Sequence, residues 1–394
     1  MEELRRDIDG VESLQKKVHD LESQIDELKK GNTSKLKHEY KYFEFRGNAS
    51  EYFRIWIVNI ALTILTLGIY SAWAKVRSNR YMYANTYLNG SNFEYNADPI
   101  KILIGRIVVV TLYALFVLFS QYLFMFEIAG GIALLAFIAM PWLVRQAVSF
   151  KLRNTSYRNV PFRYEGDVSS FYGFFILHII LNIFTFMLIF PYSYVKFKQL
   201  IINNAHYGDG DFKFSGGTGD AYAIYIQIFV WSTLFIFAIM IVFGLLGGIA
   251  NAVFGESLSG FFSGIKDNLN SDIIGMLIAS GVFLIYVPLV FWNKGFTDAY
   301  FSNFVREKST LNNAPLKGDI QPFKLGVIAA TNALAIFFSL GLLYPWAQIR
   351  YLKYKLEHTA FSCDNYDQFE SHGYVTGSTV GEEMVDFFDI DIGI

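Results

Sequence analysis

The sequence is poor in cysteine and in charge, and each shortage excludes a class of protein. Cys363 is the single cysteine among 394 residues, which excludes an intramolecular disulfide and any metal site built from several thiolates. Charged residues make up 17% of the chain, whereas soluble domains average about 25%. The net charge of −2 gives no basis for predicting nucleic-acid binding. A chain that is 53% hydrophobic is predicted to have lipid as its solvent.

The apolar stretches also lack acidic residues, and the chain lacks the short motifs of common enzymes. Carboxylates inside membrane segments relay protons in many pumps, so their absence argues against a carboxylate-coupled pump. Neither a G-x-x-x-x-G-K-[ST] phosphate loop, nor an H-E-x-x-H zinc motif, nor a G-x-S-x-G elbow occurs. We therefore predict a protein that is not an enzyme and that has no catalytic residues, no metal and no cofactor.

Seven apolar segments are long enough to be membrane helices, because about 20 helical residues cross roughly 30 Å of hydrocarbon. They cover approximately residues 52–73, 100–119, 128–148, 169–192, 222–248, 273–292 and 324–346. The sequence therefore predicts an all-α, polytopic membrane protein with seven apolar helices.

The first 30 residues have a different character. From Leu4 to Leu28, hydrophobic residues recur every three or four positions, and β-branched residues alternate with leucine. This pattern favours a parallel two-stranded coiled coil at 1–30, and hence a homo-oligomer formed through residues 4–28. A single amphipathic helix lying on the protein or on the bilayer is the alternative. Residues 31–50 are predicted to be a linker and entry segment.

The rest of the sequence contains an imperfect repeat. Residues 71–77, SAWAKVR, align with 190–196 and with 344–350. Each copy contains an apolar helix, a break, an aromatic-basic helix and a short segment rich in aromatic residues, Gly, Asn and Asp. The predicted breaks are Gly68, Pro191 and Pro345. The predicted divisions are two membrane units at 51–168 and 169–322, a truncated third unit at 323–372, and an acidic-aromatic tail at 373–394.

Three runs resemble the YjgN-like family of bacterial inner-membrane proteins. They are GIYSAWAKVRSNRYMYANTYLNGSNFEY at 68–95, YPWAQIRYLKYKLEHT at 344–359 and GEEMVDFFDIDIGI at 381–394. The resemblance covers roughly residues 40–394 and implies a location in the bacterial inner membrane, without bringing any catalytic residue. The middle unit departs from the pattern, since it has Tyr192 where the other two units have tryptophan.

Two membrane topologies remain open. Cytoplasmic loops collect lysine and arginine. If all seven segments cross the bilayer, these cations fall on both sides, whereas nearly all of them fall on one side if the first helix of each unit enters and returns. A bent, re-entrant backbone must be buried in protein or line a wet cavity. Either topology is predicted to be multi-pass with a cytoplasmic N-terminus.

A polar stripe recurs within the apolar helices at helical spacing. Its members are Asn59, Thr63, Thr66, His178, Asn182, Thr185, Asn332 and Ser339, and Ile336 interrupts the third copy. Such side chains are costly in hydrocarbon and should face water or the interior of the bundle. One interpretation is a polar path through the membrane. The other is hydrogen bonding between helices, worth on average about 0.6 kcal/mol per pair.

Cations recur on the aromatic-basic helices, at the depth where lipid phosphates lie. They are Lys75, Arg77, Arg80, Lys196, Lys198, Arg350, Lys353 and Lys355. Their predicted partner is anionic membrane lipid or another anion, although simple anchoring of the topology is an alternative. The predicted function is a transporter or channel-like path for a small solute or ion. The alternative is a non-transporting membrane scaffold that binds anionic lipid or a partner protein.

Overall fold

The structure is a computed structural model that describes residues 39–268 and 271–362. The chain divides into two compact units, residues 1–40 and 41–394, and the following description concerns the second. The predicted coiled coil at 1–30 and the acidic-aromatic tail lie outside the described residues. Self-association through residues 4–28 therefore stays a prediction.

The described helices come in pairs that form helical hairpins. Three short helical hairpins are α1 (Ala49–Leu65) with α2 (Ser71–Ala84), α5 (Val168–Phe184) with α6 (Phe190–Ile202), and α9 (Pro322–Phe338) with α10 (Tyr344–Glu357). Two long helical hairpins are α3 (Pro99–Val117) with α4 (Phe126–Arg153), and α7 (Thr218–Asn268) with α8 (Ser271–Glu307). A π-helical turn, Leu118–Tyr122, extends α3.

Short strands separate the helical hairpins, and all of them belong to one sheet. They are β1 (Tyr40–Tyr42), β2 (Glu44–Phe45), β3 (Thr86–Leu88), β4 (Ser91–Tyr95), β5 (Thr155–Tyr157), β6 (Val160–Tyr164), β7 (Ala205–Tyr207), β8 (Gly210–Phe214), β9 (Ser309–Leu311), β10 (Ala314–Gly318) and β11 (Thr359–Ser362). The order is β1-β11-β10-β9-β8-β7-β6-β5-β4-β3-β2. Since Phe43 alone separates β1 from β2, and its N–H donates to Thr359 O at 2.9 Å, the sheet nearly closes on itself.

The prediction of an all-α fold is therefore wrong. Strands of two to five residues are too short to produce a clear alternation of polar and apolar positions. The turns between them did carry a signal, because Asn-Gly at 89–90 is typical of a two-residue β-hairpin loop. Both residues of that turn have positive φ, as do Arg158 with Asn159 and Asn312 with Asn313.

The prediction of seven membrane helices is also wrong. Within the part of the chain that the structure describes, three helical stretches are long and apolar enough to cross a membrane: Pro99–Tyr122, Phe126–Arg153 and Thr218–Ile241. The predicted segments 52–73, 169–192 and 324–346 each contain the end of a 17-residue helix and a turn that reverses the chain. A 17-residue helix is about 25 Å long, shorter than the hydrocarbon layer.

The second helices of the hairpins end in a recurring set of hydrogen bonds, and a strand follows directly. The side-chain amides of Asn85, Asn154 and Asn204 each donate to the carbonyl four residues earlier, at 2.7–2.8 Å. The hydroxyls of Thr155 and Thr359 make the same bond one position later. These bonds satisfy carbonyls that the end of a helix leaves without partners.

One face of the sheet is covered by aromatic rings in mutual contact. Ring centroids lie 4.7 Å apart for Phe93 and Tyr157, and 4.8 Å apart for Phe162 and Tyr207. The Tyr157 hydroxyl donates to Leu88 O and the Tyr207 hydroxyl to Tyr157 O, at 2.7 and 2.9 Å. Because each buried hydroxyl has a partner, the core accepts tyrosine without leaving a polar group unsatisfied.

Polar caps mark where helices leave the sheet. Asn48, Asp98 and Asp167 are the N-cap residues of α1, α3 and α5, and each side chain accepts a backbone N–H. Hydrogen bonds from the Ser169 hydroxyl and from Ser170 lower the pKa of Asp167 to about 2. The cap therefore stays ionised at neutral pH, beside the positive end of the helix dipole.

Candidate membrane-contact surface

Large apolar side chains are exposed along α3, along the first half of α4 and along the part of α7 that the structure describes. On α3 and the turn after it they extend from Ile104 to Phe124, on α4 from Phe126 to Met140, and on α7 from Ile226. The buried residues of α4 cluster from Pro141 onward, where that helix packs into the protein. We call this exposed region the apolar belt. A patch of this extent is typical of a surface that contacts lipid or another protein.

The turns of the short helical hairpins are even more exposed. These three apolar turns comprise residues 66–70, 185–189 and 339–343. Leu67, Phe186 and Leu340 occupy equivalent places in them and are 94%, 89% and 94% exposed. All three have positive φ, which is uncommon for residues other than glycine. Among the described residues, the most exposed large apolar side chains thus lie at the ends of the short helical hairpins.

The backbone of each apolar turn bonds to itself. Leu67 N–H donates to Ile64 O and Gly68 N–H donates to Thr63 O, the pattern of a Schellman motif. The same pair of bonds recurs from Phe186 and Met187, and from Leu340 and Gly341. Backbone groups in lipid must be satisfied internally because no water is present there. Most of this bonding lies within the turns themselves, and the second turn also receives a hydrogen bond from α7, because the Tyr222 hydroxyl donates to Leu188 O at 3.1 Å.

The last residue in each copy of the polar stripe lies in one of these turns. These residues are Thr66, Thr185 and Ser339. The Thr66 hydroxyl donates to Leu62 O at 2.8 Å and accepts Tyr70 N–H at 2.9 Å. Ser339 similarly donates to Ile336 O and accepts Leu343 N–H. Thr185 donates to Leu181 O. These hydroxyls provide hydrogen-bond partners for backbone groups where the chain reverses.

Contacts with neighbouring helices fix where the apolar turns lie. The Arg106 guanidinium donates to the Ser71 hydroxyl at 2.6 Å, and the Phe190 and Tyr225 rings are 6.4 Å apart. Ser71 and Phe190 begin α2 and α6, whereas Arg106 and Tyr225 lie two turns into α3 and α7. Two turns are about 11 Å, and α3 continues well beyond that point. These two apolar turns end far short of the far ends of the long helices.

The polar stripe forms hydrogen bonds inside its own short hairpins. Asn59 Nδ2 donates to Ala74 O at 3.2 Å, and Asn332 Nδ2 donates to Ala347 O at 2.9 Å. In the second hairpin Asn182 Nδ2 donates to the Ser193 hydroxyl at 2.9 Å. Thr63 bonds to the backbone of its own helix. The amides of the three copies thus join the two helices of separate hairpins.

Some buried polar atoms in this stripe have no hydrogen-bond partner among the described residues. They are Asn59 Oδ1, Asn182 Oδ1 and His178 Nε2. The His178 ring lies between Phe174 and Tyr192, with centroids 4.1 and 5.6 Å away, and its Nδ1 is 2.9 Å from Phe174 O. A buried acceptor without a partner is costly. The hydrogen bonds within the hairpins therefore leave these three atoms without a partner.

The predicted cations fall into several environments. Lys355 is shielded and lies 2.9 Å from Asp298 on α8, whereas Lys353 is exposed and lies 3.7 Å from Glu357. Arg80 donates to the carbonyl of Tyr95, the last residue of β4, and to that of Ala97, at 3.3 and 3.4 Å. Lys75 is half-buried in α2. Burial of Lys198 and the ion pair of Lys355 assign these two to the protein interior.

Three cations occupy equivalent positions, one helical turn after an aromatic residue. Arg350 lies 5.1 Å from the centroid of Trp346, and Lys196 lies 5.6 Å from that of Tyr192. Arg350 also donates to Thr331 and Asn332, so that it joins the polar stripe. Arg77 follows Trp73 in the same register and is exposed. Lys196 and Arg350 are half-buried, so all three aromatic-cation pairs retain some access to the surface.

The predicted breaks have two different roles. Gly68 lies within an apolar turn with φ +94°, where a residue with a side chain would be strained. Pro191 and Pro345 lie in the first turns of α6 and α10, where the fixed φ of proline favours a helix start. No cluster of three potential metal ligands occurs among the described residues.

Sequence reasoning missed two parts of this surface. The sequence predicts Leu67, Phe186 and Leu340 as members of apolar membrane segments, and it predicts Arg106 within another of these segments. A charge in an apolar run is a usable signal, because such a residue normally reaches an interface or a polar partner.

A family model, described as "Bacterial protein of unknown function (DUF898)", matches residues 41–387. The chain belongs to this family. It is 51% identical to the inner membrane protein YjgN of Escherichia coli strain K12 over 53 residues, which is 14% of this chain and 13% of that protein. It is 42% identical over 71 residues to YjgN of Escherichia coli O157:H7, and 42% identical over 69 residues to that of Salmonella typhimurium strain LT2.

These alignments cover 18% of the chain and 18% of each of the latter two relatives, so the matched part spans less than a fifth of those proteins. No solved structure matches the chain. The predicted resemblance to the YjgN-like family is confirmed.

Proposed function

We propose that the protein is a multi-pass scaffold of the bacterial inner membrane that binds anionic lipid through its short helical hairpins. The observation that carries this proposal is the single continuous sheet to which both ends of every helical hairpin connect. A hydrogen-bonded sheet cannot be divided by a bilayer, so all of its strands lie on one side. The relatives are inner membrane proteins by name, which supports an inner-membrane location.

The cations support a cytoplasmic position for the sheet. Lysine and arginine collect on the cytoplasmic side of inner-membrane proteins. Arg77, Lys196 and Arg350 all lie on helices that return to the sheet, one turn from an aromatic ring. Aromatic rings favour the membrane interface and cations favour its phosphates. This arrangement suits binding of lipid headgroups better than it suits transport.

Loss of two of these cations should weaken lipid binding strongly. We expect Arg77→Gln with Lys196→Gln to lower the affinity for phosphatidylglycerol about thirtyfold, since each cation near the surface contributes about 1 kcal/mol. Native mass spectrometry of the detergent-solubilised full chain would measure retained lipid. The matched control is Arg46→Gln with Lys213→Gln, two exposed cations of which Arg46 directly follows β2 and Lys213 lies in β8. An equal loss in the control, or no preference for anionic lipid in the wild type, would refute headgroup binding.

Transport remains a second candidate because of the buried acceptors without partners, Asn59 Oδ1, Asn182 Oδ1 and His178 Nε2. A water-filled path would satisfy them. The scaffold proposal instead expects that cysteines at Thr63 and Ile336, with Cys363 removed, do not react with a water-soluble thiol reagent. An apolar, dry site keeps the thiol protonated and unreactive. A cysteine at exposed Lys213 should react and serves as the positive control, while labelling at both stripe positions would favour transport.

A further inference from the structure

We propose that the three apolar turns insert as wedges into one leaflet, so that the protein prefers strongly curved membrane with loose lipid packing on that face. This inference rests on the proposed function, since it takes the apolar belt to be the lipid contact. It goes beyond headgroup binding because it states which membrane shape the protein prefers.

The connections to the sheet place the wedges in one leaflet. The short hairpins leave from β2, β6 and β10 and return to β3, β7 and β11. Because these strands share one sheet, the three apolar turns point into the bilayer from the same side. The contacts of Ser71 with Arg106 and of Phe190 with Tyr225 keep two of the turns within about two helical turns of the sheet-side ends of α3 and α7.

The spacing of the hairpins favours a bilayer over a protein as the occupant. In the order of the sheet, the strands of the short hairpins alternate with other strands. β4 and β5 connect to the first long hairpin, β8 and β9 connect to the second, and β1 lies beside β11. The first and third short hairpins are neighbours, since the Trp56 and Tyr344 rings are 6.2 Å apart, whereas Phe186 lies on the hairpin between β6 and β7, on the other side of the strands that serve the long hairpins. A membrane plane can contact all three at once, and it is continuous with the apolar belt. The Schellman-type hydrogen bonds within the turns fit a surrounding of acyl chains.

Wedges of this kind respond to curvature for a geometric reason. Each inserted turn adds area to the leaflet on the sheet side and adds none to the other. A bilayer that is convex on that side has gaps between its headgroups, which expose apolar area that the wedge can cover. Binding of shallow apolar insertions is accordingly sensitive to curvature and lipid composition.

The test measures sorting of the full chain between a giant vesicle of neutral phosphatidylcholine and a membrane tube pulled from it. Molecules whose sheet faces outward should be enriched severalfold in the tube, and those facing the lumen should be depleted. Neutral lipid separates this result from headgroup binding, because a failure of anionic binding leaves the sorting intact. If the wild-type protein has the same density in the tube and in the vesicle membrane, the wedge proposal is wrong.

Asparagine at the turns provides the decisive variant. Leu67→Asn, Phe186→Asn and Leu340→Asn together keep the backbone, since asparagine tolerates positive φ, and remove the apolar wedge. The enrichment ratio should fall to unity while the protein stays integral to the membrane. Phe124→Asn is the matched control, because Phe124 is also exposed with φ +52° but lies at the far end of a long hairpin. Unchanged sorting in the triple variant, or an equal loss in the control, would overturn the proposal.

Discussion

Replacing Lys355 with methionine is expected to lower the free energy of unfolding by about 3 kcal/mol. Lys355 Nζ lies 2.9 Å from Asp298 Oδ2 between α10 and α8, and the two side chains are only 13% and 27% exposed. The Tyr351 hydroxyl also donates to Asp298, at 2.5 Å, and the Ser302 hydroxyl does so at 3.1 Å. Removing the lysine leaves a shielded carboxylate without its counter-charge, which costs more than the pair itself contributes.

The neighbouring lysine provides the matched control. Lys353 pairs with Glu357 at 3.7 Å, but both side chains are about half exposed, so Lys353→Met should change stability by less than about 0.5 kcal/mol. Unfolding of both variants in mixed detergent micelles would measure the difference. Adding Asp298→Asn to Lys355→Met should recover part of the loss, because the uncompensated charge is then gone. Equal effects of the two lysine variants would contradict the role of the ion pair.

These two lysines illustrate what the sequence could and could not predict. Both were interpreted as cations that contact lipid, since both follow the third break in an aromatic-basic helix. The partner of Lys355 lies 57 residues earlier on another helix, at a distance in sequence that no local pattern spans. Helical spacing placed the cations on α10, but tertiary packing decided which of them meets a carboxylate.

The polar stripe shows the same division. Its spacing predicts residues on one helix face, and the sequence leaves open whether that face meets water or another helix. In two of the hairpins the amide bonds a carbonyl 15 residues later, a separation set by the length of the apolar turn. Had the reversal been recognised from Leu67-Gly68 and Leu340-Gly341, this pairing could have been predicted. In the second copy Met187 replaces the glycine, with φ +65°, and conceals the pattern.

The sheet was missed for a different physical reason. A strand such as Glu44–Phe45 has two residues, and its pairing with Thr86 and Tyr87 depends on chain reversal through an intervening helical hairpin. Hydropathy describes the long helices well because lipid imposes a minimum length on them. It describes the short hairpins poorly, because their apolar residues continue through the turn without any change in composition.

Replacing Gly295 with alanine is expected to cost about 2 kcal/mol of unfolding free energy. Gly295 on α8 faces Gly326 on α9, and a Cβ there would lie 2.7 Å from Leu325 O and 2.8 Å from Ala329 Cβ. These neighbours are backbone and a short side chain, neither of which can rotate away. The two helices would have to separate, which would also loosen the contact of Trp292 on α8 with Phe323 on α9.

The control variant Gly173→Ala separates the effect of a steric clash from the effect of alanine on the helix itself. It lies in α5, is exposed, and has no atom within 4 Å of a Cβ built on it. Gly173→Ala should therefore stabilise the protein by about 1 kcal/mol, the ordinary gain of alanine over glycine in a helix. Because Asp298 follows Gly295 by one helical turn, Gly295→Ala should also couple to Lys355→Met, with a combined loss smaller than the sum. Strict additivity, or a gain in stability from Gly295→Ala, would mean that α9 and α10 do not pack against α8 as one unit.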